Sequence, residues 1–468
     1  MMKLTQLSVF TLAMLITGAI DSIRNLPATA LFGSTLIFFF TFAAIVFLIP
    51  TALVSAEMSA TWTEDSGVYN WVKMAFGEKW AFFAIWLQWI NTMVWYPTIL
   101  SFIAGTLAFL VDPALAEHRW YLVTIILSVF WLLTFLNLRG LHTSARFATW
   151  CTIVGMVIPM AIIMILAGVW LWMGNPSQIE ITTHTVLPSF THTNSWISLT
   201  AIMAAFLGME LATVHVKDIE DPQAKFPKAM LLSVVIIVIT MVCGALSIAM
   251  VMPAQEINLV GGVMQAFQQF FTRYHMPWMT GVLTIMLIIG SLGGMINWII
   301  SPAKGLLHAG ERGYLPPLLI QKNKQGVAVN LLILQAILVS GVCLVFLLMP
   351  SVNGSYWLLT ALSTQLYMLM YILMFMAAFV LRKRHPHKVS SFKIPGGLAG
   401  MGLITVLGIV GCIITLCVGF FPPEGIDVGS FWHYEMIFSL GIVAMIIPVG
   451  FFYAYKARSK GAAQLVQN

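Results

Sequence analysis

The sequence predicts an all-α integral membrane protein with twelve transmembrane helices, and three observations predict it. Hydrophobic residues make up 60% of the 468 residues and charged residues 9%, against about 45–50% and about 25% in soluble domains. Apolar runs of about 20 residues recur from end to end, each long enough to cross a bilayer as a helix. The cations are also segregated. Of 23 Lys and Arg, Arg24 lies within an apolar run, Arg119 and Arg273 fall on alternate loops, and the other 20 fall on the opposite side. That side is the cytoplasmic one by the positive-inside rule.

The expected spans are 7–29, 35–59, 80–111, 120–137, 147–173, 196–216, 229–252, 278–303, 328–349, 356–381, 398–420 and 435–455. The runs are continuous rather than alternating, so a barrel of strands is not expected. The first run has Lys3 before it and Ala28-Thr29-Ala30 after it, as a cleavable leader would. Asp21 and Arg24 interrupt the approach to that site, so it is read as the first span. Connecting segments near 174–195, 253–277 and 304–327 are short, and one transmembrane domain over residues 1–468 is expected. The charge pattern requires an even number of spans with both termini inside. It also accounts for the net charge of +6 as a topology signal, so nucleic acid is not an expected partner. Cys151, Cys243, Cys343, Cys412 and Cys417 all fall in spans, where free cysteine acts as a small hydrophobe. No metal or disulfide spacing appears, HExxH is absent, and no cofactor is implied.

Two spans are interrupted in a related way. The first reads Thr17-Gly18-Ala19-Ile20-Asp21-Ser22-Ile23-Arg24-Asn25-Leu26-Pro27, and the sixth reads Phe206-Leu207-Gly208-Met209-Glu210. In each, a glycine is followed within three residues by an acid. The two are five spans apart, so they cross in opposite directions. Two inverted five-helix repeats require this, over about 7–173 and 196–381, with helices 398–420 and 435–455 outside them. A broken membrane helix exposes amides at one end, which suit a carboxylate, and carbonyls at the other, which suit an ammonium group. An α-amino acid carries both groups on one carbon.

These residues resemble the amino acid–polyamine–organocation transporters. The resemblance rests on Phe206, Gly208-Met209-Glu210, the acidic loop Asp218 to Asp221, Pro222 and Pro227. Ala56-Glu57-Met58, Gly67 to Val72, Trp298 to Pro316, and Phe392 to Gly397 extend it over nearly the whole chain. Glu256 to Phe267 and Phe420-Phe421-Pro422-Pro423 are similar to the glutamate/GABA antiporter subgroup. The resemblance implies a leucine-transporter-like core with broken helices 1 and 6, a bacterial inner membrane, and an amino acid or amine exchanged by alternating access, with protons as a further partner. A proton-coupled symporter is the alternative, and a nutrient sensor a more distant one. An enzyme is not expected, since no nucleophile–base set appears. In two respects the chain departs from these patterns, the first the family's and the second the subgroup's. The usual Gly-Ser-Gly break falls here on Ile20-Asp21-Ser22. The chain ends at Asn468, so gating by a C-terminal plug is not expected.

The expected substrate-binding residues are Gly18, Ala19, Ile20, Asp21, Ser22, Ile23, Arg24, Phe206, Gly208 and Glu210, with Glu210 and Trp298 as gating or proton-linked residues. An acid at membrane depth is costly and ordinarily marks a functional site. Asp21 and Arg24 share a helical face; they either neutralise each other or meet an ammonium and a carboxylate. Trp298 either closes over the substrate or packs helices. Glu57 is read as a structural anchor. Asn91, Trp95 and Tyr96 are read as packing residues before cavity residues.

Overall fold

The computed structural model describes residues 8–63, 67–139, 145–188, 193–218 and 221–467. Helices dominate, and the described residues contain one isolated β-bridge, Lys322 to Ala328, outside them. Among the described residues, ten helices are long and apolar enough to cross a membrane, and the bent first pair makes eleven. The third expected span falls on Glu78–Ala108, a 31-residue helix outside that set. At about 1.5 Å per residue it is longer than a bilayer is thick.

The first span is broken where the sequence places an acid among apolar residues. Its helix starts at Val9, with the Ser8 hydroxyl accepting the Thr11 amide at 3.1 Å, and ends at Ile20. Asp21 and Ser22 are extended, and the chain turns helical again through Ile23–Asn25 and Leu26–Ala30. Pro27 sits in the first turn of that last segment, where its missing N–H leaves no intrahelical bond unmade. The two arms, Val9–Gly18 and Ile23–Ala30, meet at 47°. The sixth span breaks differently. Helix Thr193–Ala205 stops, Gly208 adopts φ +106°, and a tighter 3₁₀ helix, Met209–Asp218, follows. That backbone is open to glycine at little cost and strained for other residues. Of the acidic loop beyond it, residues 219 and 220 lie outside the described residues.

The helices pack in two groups around these breaks. Val9–Ile20 and Ile49–Thr61 both pack on Pro222–Val251, and Ile49–Thr61 also meets Met209–Asp218. Glu78–Ala108 packs on Met279–Ala309 and Val352–Arg384. Lipid tails are as apolar as leucine, so close backbone approach through small residues does much of the holding. A Cβ on Gly155 would lie 2.8 Å from the Gly290 amide nitrogen, which shows how closely Ile153–Val157 and Met279–Ala309 cross. Val406, Leu440, Val443 and Phe451 on the last two spans point outward, as lipid-facing residues do.

Glu57 takes the anchoring role expected of it. It is buried, pairs with Arg382 at the end of Val352–Arg384, and accepts the Ile394 amide at 2.7 Å. One carboxylate thus ties the ends of the second and tenth spans to the strip that leads into the eleventh.

Candidate functional site

A cavity of about 200 Å³ lies between the two breaks. It is smaller than the roughly 300–1,000 Å³ that holds drug-sized ligands, so it suits a small solute. Gly18, Ile20, Asp21, Ser22, Ile23 and Arg24 line it from the first span, and Gly208 lines it from the sixth. Asn91, Trp95 and Thr98 line it from Glu78–Ala108, Trp298 from Met279–Ala309, and Ser363 and Tyr367 from Val352–Arg384. The side chain of Ala19 lies outside the described residues.

Asp21 and Arg24 are both buried, and they form no ion pair with each other. Each instead meets groups on other residues, the Tyr356 hydroxyl donating to the Arg24 carbonyl at 3.3 Å among them, and each keeps one open polar atom. Asp21 Oδ2 accepts the Thr240 hydroxyl at 2.7 Å, while its buried Oδ1 has no hydrogen-bond partner. Arg24 Nη1 donates to Thr98 Oγ1 at 2.9 Å, while its buried Nε has none. The guanidinium lies 4.8 Å from the centre of the Trp95 ring, a cation–π distance. Trp95 in turn packs on Trp298, with ring centres 5.4 Å apart. The Trp298 carbonyl accepts the Tyr96 hydroxyl at 2.7 Å. Trp298 therefore both lines the cavity and packs on Trp95. Tyr96 stands behind it, Trp95 and Asn91 line the cavity, and Asn91 accepts a short hydrogen bond from Ser363.

Phe206 and Glu210 lie elsewhere than the sequence reading expected, since neither lines the cavity. Phe206 is fully buried and packs edge-on against Phe40. The Gly208 turn carries Glu210 behind the cavity wall. There its carboxylate accepts from Gln88 at 3.3 Å, from Tyr367 at 3.1 Å and, in a shorter bond, from Tyr371. Gly208 N–H donates to the Tyr371 hydroxyl at 2.9 Å. Tyr371 is thus a bridge from the broken backbone to the acid, and it occupies an amide expected to face a substrate carboxylate. Tyr367 is the side chain that both lines the cavity and touches Glu210.

Sequence reasoning missed Thr98, Thr240, Gln88, Tyr367 and Tyr371. Gln88 carried a usable signal, as an amide in an apolar span. The threonines and tyrosines carried none, because such residues pack or back-bond in any membrane helix.

A family model described as "Amino acid permease" matches residues 7–453. An uncharacterized transporter of Legionella pneumophila is 39% identical over 96% of this chain and 97% of its own length. A glutamate/gamma-aminobutyrate antiporter of Lactococcus lactis subsp. cremoris is 30% identical over 98% of this chain and 92% of its own. A putrescine transporter of Escherichia coli is 23% identical over 72% and 75%.

Proposed function

Because this chain belongs to the amino acid permease family, we propose that it is a secondary transporter that exchanges an amino acid for another amino acid or a decarboxylated amine by alternating access. The observation that carries this reading is the pair of open charges at the first break. Asp21 Oδ1 and Arg24 Nε are buried and lack a protein partner. A buried polar group without a partner costs about 1–3 kcal/mol. A substrate ammonium at Asp21 and a side-chain carboxylate at Arg24 complete both. The antiporter relatives are named for glutamate and γ-aminobutyrate, molecules that carry an ammonium group and a carboxylate at opposite ends.

The same contacts offer a coupling route. Asp21 holds Thr240 on Pro222–Val251, while Arg24 holds Thr98 on Glu78–Ala108. The first break thus touches both helix groups. A substrate carboxylate that draws Arg24 from Thr98 loosens one group from the other. Glu210 acts from behind the cavity as the proton-linked residue, and Tyr367 transmits its state to the substrate. Both termini face the cytoplasm in this reading, and the membrane is a bacterial inner membrane.

Two measurements test it. Liposomes preloaded with glutamate, γ-aminobutyrate or related amino acids are expected to take up labelled substrate many-fold faster than empty ones. Equal uptake into empty vesicles under a pH gradient alone identifies a symporter instead. A reporter fused after Ser459 is expected to read cytoplasmic, and a cysteine placed near Asn353 to be labelled from outside. An external Ser459 reporter overturns the topology.

A further inference from the structure

A second recess lies away from the substrate cavity, on the outer side of the helix assembly. It has a volume of about 530 Å³. Trp80 and Phe83 of Glu78–Ala108 form one wall, and Ile446, Ile447, Val449 and Gly450 of the last span form the other. The last span supplies this shape because its helix is interrupted at Ile447 and restarts at Pro448. Gly450 keeps the floor open, since a Cβ there would meet nothing within 4 Å. The Tyr453 hydroxyl donates to the Lys79 carbonyl at 2.6 Å and closes one end.

Lys79 lines the recess, and further cations lie nearby on the two helices and before them. Lys73 and Lys456 both reach Glu78, at 3.9 and 3.1 Å. Glu78 is therefore already shared between two cations. The exposed side chains of Lys79, at the groove mouth, and Arg458, further along the last helix, have no acidic partner among the described residues. Trp80, next to Lys79, is half exposed. A tryptophan beside a lysine at the end of a membrane helix marks the headgroup level.

We propose that this groove seats an acyl chain of an anionic phospholipid, with the headgroup phosphate held by Lys79. Charge complementarity selects the occupant. An apolar slot alone accepts any lipid tail, and a basic patch alone accepts any anion, but a slot opening beneath an unpaired lysine at headgroup level fits a molecule with both parts. The cytoplasmic leaflet attracts basic segments through its anionic lipids, and it is the side on which the positive-inside rule puts most of the chain's Lys and Arg.

The test is native mass spectrometry of the purified full-length protein with phosphatidylglycerol and phosphatidylcholine of identical chains. The wild type is expected to retain phosphatidylglycerol about fivefold better, the worth of one lysine at a membrane surface. Lys79→Ala and Lys79→Gln are both expected to equalise the two lipids. Gly450→Leu fills the slot and is expected to lower retention of both. Excess glycerol phosphate, a headgroup without chains, is expected not to displace the lipid. Equal retention by the wild type overturns the proposal. So does a preference that survives in either Lys79 variant, unchanged retention in Gly450→Leu, or displacement by glycerol phosphate. Lys79 is exposed and the Gly450 floor is open, so these variants leave the core packing intact.

Discussion

Arg24→Ala is expected to weaken binding of an acidic amino acid by about 10- to 150-fold, while its amide analogue loses only a few-fold. The range follows from losing one hydrogen-bonding partner to a charge, about 1.5–3 kcal/mol, at about 1.4 kcal/mol per decade. Arg24 is placed for this by Thr98 and Trp95, which hold one Nη and one face of the guanidinium and leave Nε open. Arg24→Lys keeps the charge but loses the planar fork, and a partial loss is expected. Thr98→Val removes the brace and keeps the guanidinium, so it separates positioning from contact. The measurement is equilibrium binding of glutamate and glutamine to the same purified variants. An equal loss for both ligands makes Arg24 a brace between helices and removes it from substrate recognition.

Glu210→Ala is expected to abolish exchange at every pH, whereas Glu210→Gln is expected to fold, bind substrate, and transport at a rate that no longer follows pH. Alanine strands the buried donors on Tyr367 and Tyr371, at about 1–3 kcal/mol each, and the half-buried one on Gln88. It also frees the Tyr371 hydroxyl that receives the Gly208 amide, so the sixth-span turn loses its clamp. Glutamine keeps one acceptor oxygen, enough for the Gln88 and Tyr367 donors that share Oε1, and cannot titrate. Tyr367→Phe removes the hydroxyl that joins the cavity wall to this acid, and is expected to reproduce the flattened profile with the clamp intact. Exchange rate against pH in matched vesicles decides the matter. If wild type and Glu210→Gln superimpose in height and shape, Glu210 is structural. Thermal unfolding of the purified variants separates that result from simple loss of fold, since only Glu210→Ala is expected to be markedly less stable.

By itself, the sequence determined that this is a helical multi-pass membrane protein of the permease type, and where its first and sixth spans break. The physical reason is that bilayer insertion is a local requirement. A run of about 20 apolar residues satisfies it wherever the rest of the chain lies, and an acid or a left-handed glycine within such a run interrupts it in plain view. Asp21 and Gly208 were legible for that reason, and Glu57 was legible as an anchor at a span end. The tertiary structure decided which side chains share the cavity and which stand behind it. The direction in which Glu210 points depends on the φ of +106° at Gly208 and on tyrosines some 160 residues later. Whether Asp21 and Arg24 neutralise each other depends on Thr240 and Thr98, on two other helices. Such partners come from separate spans with no periodicity to link them, and one hydroxyl in an apolar helix looks like another until packing brings it to a charge.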